Sequence, residues 1–67
     1  MQVTKQEQKQ IERATVQGRG ALLRTLAIIH RAGSKRTQKA IELAIEQANA
    51  WDSYTMRNGT LLHNSEA

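Results

Sequence analysis

The residues that could carry out acid–base or metal chemistry are few and scattered in this 67-residue chain. It has two histidines, His30 and His63, and no cysteine. His30 has no carboxylate at metal-ligand spacing, and His63 has only Glu66 close to it in the sequence. Glu42 and Glu46 are one helical turn apart, a spacing that also suits an exposed helix face. We therefore predict no catalytic residue, no metal site, no cofactor and no small-molecule substrate, and we expect a non-enzymatic protein.

A run of basic residues is the one feature that indicates a partner. Between Glu12 and Glu42 the chain has seven basic residues and no acidic one, and its net charge is +4. The seven are Arg13, Arg19, Arg24, Arg31, Lys35, Arg36 and Lys39. Such a run can bind RNA, DNA or an acidic protein surface, or it can simply be a solvated face. The residues that we predict to bind an anionic partner are Arg24, Arg31, Lys35, Arg36 and Lys39.

Two details bear on that prediction. Lys35, Arg36 and Lys39 fall in the first turns of a predicted helix, where the helix dipole favours acidic residues, so a use outside local stability is indicated. No aromatic residue lies among the basic ones to stack on bases, which argues against nucleic acid. The only aromatic residues are Trp51 and Tyr54. Trp51 is predicted to pack in the core, and Tyr54 is a candidate exposed anchor for a partner.

The spacing of apolar residues predicts two helices. Thr4-Lys5-Gln6-Glu7 has the pattern of a capping box, so the first helix begins near Lys5. Arg31-Ala32-Gly33-Ser34 ends it, with Gly33 in the left-handed conformation and Ser34 capping the second helix. The second helix is predicted from Lys35 to Met56 or Arg57, and Asn58-Gly59 ends it.

The segment Gln17-Gly18-Arg19-Gly20-Ala21 allows two interpretations of the first helix. It resembles a phosphate-binding turn only in its glycines, because the Gly-Lys-Ser/Thr ending and a preceding strand are missing. Two glycines inside a helix cost roughly 2 kcal/mol relative to alanine, so the helix could break here. We favour a continuous helix, since Ile11 and Leu22 stay in phase across the glycines.

The predicted fold is all-α, a helical hairpin at residues 1–57 followed by a flexible C-terminal tail at residues 58–67. A chain of this length rarely buries enough surface to be stable alone, and it has no disulfide to help. We therefore expect a homodimer in which two hairpins form a four-helix bundle. The predicted dimer core is Ile11, Leu22, Leu26, Ile29, Ile41, Ala44, Ala48 and Trp51.

This layout resembles the Rop family of small plasmid-encoded RNA-binding regulators, in the opening Thr4-Lys5-Gln6-Glu7 and the turn at Ala32-Gly33-Ser34. The resemblance implies an antiparallel four-helix dimer that binds paired RNA loops through its first helices. It also implies that Lys5 contacts a phosphate. The cysteine-containing core and the stacking phenylalanine of that family have no counterpart here, where Val16 stands near the phenylalanine's place. In size and style the chain is similar to accessory proteins of phages and plasmids.

We expect a non-catalytic regulatory or adaptor protein that binds a host or regulatory protein. The alternative is a nucleic-acid-binding regulator that uses the basic region 13–39, either Rop-like and RNA-binding or of another kind. A third interpretation is a structural subunit of a larger assembly. The first residues are polar, and the longest nearly apolar run, Ala21–Ile29, is too short to span a bilayer. A cytoplasmic protein with no membrane partner is therefore expected.

Overall fold

The computed structural model describes residues 3–66, which form three helices followed by a two-stranded antiparallel sheet. The helices are α1 (Lys5–Gln17), α2 (Arg19–Ala32) and α3 (Lys35–Gln47). A 3₁₀ helix at Trp51–Ser53 leads into the strands β1 (Tyr54–Arg57) and β2 (Thr60–His63), and a second 3₁₀ helix follows at Asn64–Glu66. None of the helices in this part of the chain is long and apolar enough to cross a membrane.

The start of α1 confirms the predicted capping box. The Thr4 hydroxyl accepts from the Glu7 amide at 3.1 Å, and the Glu7 carboxylate accepts from the Thr4 amide at 2.9 Å. Two amides at the helix N-terminus that lack intrahelical partners are satisfied in this way. The helix then buries Ile11 and Ala14.

The chain breaks between α1 and α2 at Gly18, so the favoured continuous helix is wrong. Gly18 has φ +129°, a conformation that costs glycine little and other residues much more. Its amide still donates to the Ala14 carbonyl at 3.1 Å, and its carbonyl accepts from the Leu22 amide at 3.0 Å. The break lets the two helices lie side by side, since Gln10 of α1 and Ile28 of α2 line the same groove.

The connection between α2 and α3 is short and tight. Ser34 caps α3 as predicted, its hydroxyl accepting from the Thr37 amide at 3.3 Å. The left-handed conformation predicted for Gly33 is wrong, because its φ is −87°. Glycine is needed there for space: a Cβ would lie 2.5 Å from Thr37 Cγ2 and 2.9 Å from the Ile29 carbonyl oxygen.

The second predicted helix ends at Gln47 rather than at Met56 or Arg57. Asn49 takes the left-handed conformation with φ 51°. The amides of Asn49 and Ala50 donate to the carbonyls of Glu46 and Ile45, each at 3.0 Å. These paired bonds form a Schellman motif, which ends a helix by satisfying its last carbonyls.

Asn58 and Gly59 form the turn of a β-hairpin and do not end a helix. Both have positive φ, 52° and 77°, as the two-residue turn that matches the twist of paired strands requires. The flanking residues Arg57 and Thr60 are opposite each other in the register. Residues 58–66, predicted as a flexible tail, therefore contain this turn, β2 and the final 3₁₀ helix, while Ala67 is outside the described residues.

The hydrophobic core forms within one chain, with α2 in contact with α1, α3 and β2. Its buried members are Ile11, Leu23, Leu26, Ala27, Ile29, Ile41, Ile45, Ala50, Tyr54 and Leu61. The predicted two-helix hairpin and four-helix bundle are therefore wrong. The physical reason is that the break at Gly18 and the hairpin at residues 54–63 supply two further layers that cover α2. Self-association itself stays a prediction.

The residues of the predicted dimer core differ in how deeply they are buried in this fold. Ile11, Leu26, Ile29 and Ile41 are buried in the core of the single chain. Leu22 and Ala44 are half-buried, while Ala48 and Trp51 are exposed. The last two are exposed because α3 ends before them, so the helical spacing used to place them no longer applies.

Candidate nucleic-acid interface

The first turns of α3 carry a basic surface. Thr37, Ile41 and Ile45 are buried against the core. Each residue of a helix is rotated by about 100° from the last, so Lys39, midway between Thr37 and Ile41, lies on the opposite side of α3. Lys35, Arg36 and Lys39 are all exposed.

The N-terminal end of α3 lacks the acidic residues that usually stabilise this end of a helix. The first turn of α3 contains no acidic residue. The nearby carboxylate comes from α1: Glu7 accepts from the Thr37 hydroxyl at 3.2 Å. This carboxylate is favourably placed for the dipole of α3 as well as for that of α1. Lys35 and Lys39 form no ion pair with any other residue between 3 and 66.

The N-terminal ends of α1 and α3 are neighbours. A shallow cavity of about 330 Å³ lies between them, lined by Thr4 and Val3 on one side and by Ser34, Arg36 and Thr37 on the other. Lys5, to which the Rop resemblance assigned a phosphate contact, is exposed in the first turn of α1. The two capped helix N-termini thus lie on the same side of the molecule as the basic turns of α3.

The tip of the β-hairpin lies beside the N-terminal half of α3. Gly59 and Gln38 line the same cavity, and the Gln38 side chain is fixed by donating to the His30 carbonyl at 3.0 Å. Arg57 and Asn58, next to Gly59 in the turn, are exposed. The hairpin therefore adds a cation close to the edge of the α3 surface.

Arg31, one of the residues predicted to bind an anionic partner, makes a structural contact in this fold. Its guanidinium donates to both carboxylate oxygens of Glu66, at 2.9 and 3.3 Å, and to the Leu61 carbonyl at 3.4 Å. This hydrogen-bonded pair lowers the pKa of Glu66 and raises that of Arg31. Arg31 therefore joins the end of the hairpin to α2.

Arg24 is also separated from the α3 surface. It is exposed on the outer side of α2, about a third of a turn around the helix from His30, the residue that contacts α3. Arg13 lines the groove between α1 and α2. The basic run 13–39 is therefore continuous in sequence but divided in space, and Lys35, Arg36 and Lys39 are the predicted site residues that the fold brings together.

The two aromatic residues have exchanged their predicted environments. Trp51, predicted in the core, is 42% exposed, and Tyr54, the candidate exposed anchor, is 8% exposed. The Tyr54 hydroxyl donates to the Leu23 carbonyl at 2.7 Å, and burial raises the pKa of Tyr54 to about 12. Tyr54 is therefore unable to serve as a surface anchor in this structure.

One pair of polar residues is not foreseen from the sequence. His30 is buried, and its Nε2 atom lies 3.3 Å from a carboxylate oxygen of Glu42 on α3. The two residues are twelve positions apart, so local spacing gives no sign of the contact. Only the α2–α3 turn, which returns the chain alongside itself, could have indicated it.

We compared the chain with known protein families, curated proteins and solved structures. No family model, no curated protein and no solved structure matches this chain. The helical-hairpin dimer that the resemblance to Rop implied is not the observed fold.

Proposed function

We propose that this protein binds double-stranded DNA in the cytoplasm by placing the N-terminal half of α3 in the major groove. A helix, a tight turn that contains glycine and a second helix is the element order of helix–turn–helix proteins. In those proteins the second helix enters the groove with its N-terminal residues foremost. Here α2, Gly33-Ser34 and α3 have this order, and the basic residues are at the N-terminal end of α3.

The observation that carries the proposal is the exposure of Lys35, Arg36 and Lys39 together on the first two turns of α3. Their charge is placed where it does not help the helix dipole, and Arg36 also lines the cavity between the N-terminal ends of α1 and α3. Phosphate groups are well matched to such a surface, because cationic side chains attract them.

Arg57 and Asn58 support a second contact with the duplex. They are at the exposed tip of a hairpin that lies beside α3. A helix in the major groove leaves a neighbouring element close to the adjacent phosphates or the minor groove, where an arginine is favourable.

DNA is favoured over RNA by the shape of this surface. The major groove of an RNA duplex is too narrow and deep for a helix to read, and sequence-specific RNA binding usually stacks bases on aromatic rings. Lys35, Arg36 and Lys39 have no aromatic residue between them in the sequence. The binding expected of this surface is therefore driven by phosphate contacts.

Fluorescence anisotropy with a short labelled duplex tests the proposal. Affinity should fall steeply between about 50 and 200 mM salt, because binding releases counterions from the DNA. The double variant K35A/K39A should reduce the slope of log affinity against log salt by about 2, since each phosphate-contacting lysine contributes about 1.

The double variant R13A/R24A is the matched control, because it removes the same charge from the α1 and α2 surfaces. This control should keep most of the slope of log affinity against log salt, and the K35A/K39A variant should lose more of it. Equal losses in the two variants, or no binding of duplex DNA at low salt, would show that α3 is not a DNA-binding helix. Equal affinity for an RNA duplex would contradict the assignment to the major groove of DNA.

Binding of a partner protein is a second candidate function, favoured by a different surface. Trp51 and Met56 are 42% and 57% exposed, and both line one cavity between α3 and the hairpin. Large apolar side chains grouped at the surface are typical of protein-binding sites. Like the DNA-binding proposal, this one describes a binding protein and not an enzyme.

A further inference from the structure

We propose that the cavity between α3 and the β-hairpin binds an arginine side chain presented by a partner protein. The cavity has a volume of about 310 Å³, and the residues that matter for this proposal are Glu42, His30, Trp51 and Met56. It is at the small end of ligand sites, so it suits one side chain better than a cofactor.

Glu42 gives the cavity its charge. Its side chain is 48% exposed, and one carboxylate oxygen lies 3.3 Å from the Nε2 atom of the buried His30. That contact fixes the carboxylate while leaving it accessible from solvent. No lysine or arginine lines this cavity among the described residues, although the whole chain has a net charge of +4. The cavity therefore attracts a cation and repels an anion.

Trp51 supplies the flat surface that a guanidinium group prefers. Its ring meets the ring of Tyr54 edge to face, with centroids 6.4 Å apart. Tyr54 is in turn held by its hydrogen bond to Leu23 and by an edge contact with His63 at 5.5 Å. Trp51 thus rests on a buried ring, lines the cavity and keeps 42% of its surface exposed to solvent.

Met56 completes the site on the hairpin side. It is opposite Leu61 in the register, both line the cavity, and 57% of Met56 is exposed. An unbranched thioether adapts to the shape of an aliphatic chain, so it can cover the methylene groups of a bound arginine.

Arginine fits this combination better than lysine. A guanidinium pairs with a carboxylate through two parallel hydrogen bonds and stacks on an indole ring, whereas an ammonium group is compact and more strongly hydrated. The occupant is therefore a protein segment with an exposed arginine flanked by apolar residues. Neither Lys35 nor Lys39 takes part, so this proposal and the DNA-binding proposal can fail independently.

The intrinsic fluorescence of Trp51, the only tryptophan of the chain, reports binding directly. The probe is the blocked tripeptide Leu-Arg-Leu, compared with Leu-citrulline-Leu, which keeps the shape of arginine and removes its charge. The arginine peptide should cause a saturable change in emission. The citrulline peptide should bind at least about tenfold more weakly, because its hydrogen bonds to the carboxylate are no longer reinforced by a positive charge on the donor.

The variants E42Q and E46Q test whether the arginine peptide binds at Glu42. Each removes one carboxylate from the exposed face of α3, but Glu46 does not line the cavity. E42Q should weaken the arginine peptide at least about tenfold and E46Q only slightly. Amide NMR spectra of the parent protein with the arginine peptide should place the shift changes at Glu42 and Gly59, and spectra of the two variants should show that both remain folded.

Three results would overturn the proposal. The first is the absence of a saturable response to the arginine peptide, and the second is an equal response to the citrulline peptide. The third is an equal loss in E42Q and E46Q. Quenching by single-stranded oligothymidylate without any response to the peptide would instead assign the ring of Trp51 to base stacking.

Discussion

Tyr54 is one of the residues that attach the hairpin to the helices. Its ring is buried at the start of β1, its hydroxyl donates to the Leu23 carbonyl of α2 at 2.7 Å, and its ring edge contacts His63 of β2. A buried phenol must keep its proton and find an acceptor, since a charged or unpaired oxygen there is costly. Burial accordingly raises the pKa of Tyr54 to about 12.

The variant Y54F should be less stable than the parent by about 1 kcal/mol at neutral pH, because it loses one buried hydrogen bond. Its pH dependence should also differ. The unfolded phenol loses its proton near pH 10, whereas the folded one keeps it until about pH 12, so the stability that this group contributes is complete below about pH 10 and is lost above it. Chemical denaturation at neutral pH and at about pH 11 measures both effects.

The difference between the parent and Y54F should therefore shrink or reverse in alkali. Tyr54 is the only tyrosine of the chain, so no other phenol contributes to the comparison. A difference that stays constant from neutral to alkaline pH would show that the phenol is equally acidic in the folded and unfolded states.

Among the secondary-structure elements, the starts of α1 and α3 could be predicted from the sequence because their signals act within a few residues. The capping box at Thr4 and Glu7 and the Ser34 cap each depend only on a side chain and an amide three residues away. The burial of Ile11, Leu26 and Ile41 also follows from helical spacing. These predictions require no knowledge of the tertiary fold.

The hairpin could not be predicted in the same way, because its strand signal is short and is hidden by a helical pattern. Asn-Gly between extended residues is the strongest local sign of a two-residue hairpin turn, and Asn58-Gly59 has it. Each strand is only four residues long, and β1 buries Tyr54 alone, so alternation gives little support. The helical spacing also continues by chance through Trp51 and Thr55, beyond the stop at Asn49.

Of the two candidate sites, the basic surface of α3 could be predicted from the sequence and the cavity beside the hairpin could not. Lys35, Arg36 and Lys39 could be predicted together because they are on successive turns of one helix. The contact between His30 and Glu42, and the cavity that Glu42 shares with Met56, require α3 and the hairpin to meet. Such contacts between distant segments follow only from the three-dimensional fold.

The break between α1 and α2 allows a test with two glycines that are two residues apart. Gly18 has φ +129°, and a Cβ there would meet no other atom within 4 Å, so G18A should destabilise the protein by about 1–3 kcal/mol through backbone strain alone. Gly20 is within α2, and a Cβ there would meet Arg24 at an ordinary 3.6 Å. G20A should therefore raise stability by up to about 1 kcal/mol.

Urea denaturation of both variants beside the parent measures these opposite effects. Each variant is the control for the other, because the chemical change is identical and only the backbone conformation differs. If alanine stabilised the protein at both positions, the helix would have to continue through Gly18.

In the protein as a whole, the exposed surface of α3 carries positive charge in its first turns and negative charge in the turn that follows. Its first turns present Lys35, Arg36 and Lys39, and the next turn presents Glu42. A polyanion and a cationic side chain can therefore be bound by the same helix without using the same residues. One small core is enough to position both surfaces, because α2 contacts α1, α3 and β2.

Whether that core needs a second copy of the chain can be measured by thermal unfolding at different protein concentrations. Because the buried residues contact one another within a single chain, we expect one cooperative transition whose midpoint does not change with dilution. Folding coupled to dimer formation behaves differently, since a hundredfold dilution removes about 2.7 kcal/mol of association free energy. For a chain of this size the midpoint would then fall on the order of 10 °C. A shift of that size would restore the sequence-based argument that two copies fold together, although in an assembly other than the four-helix bundle.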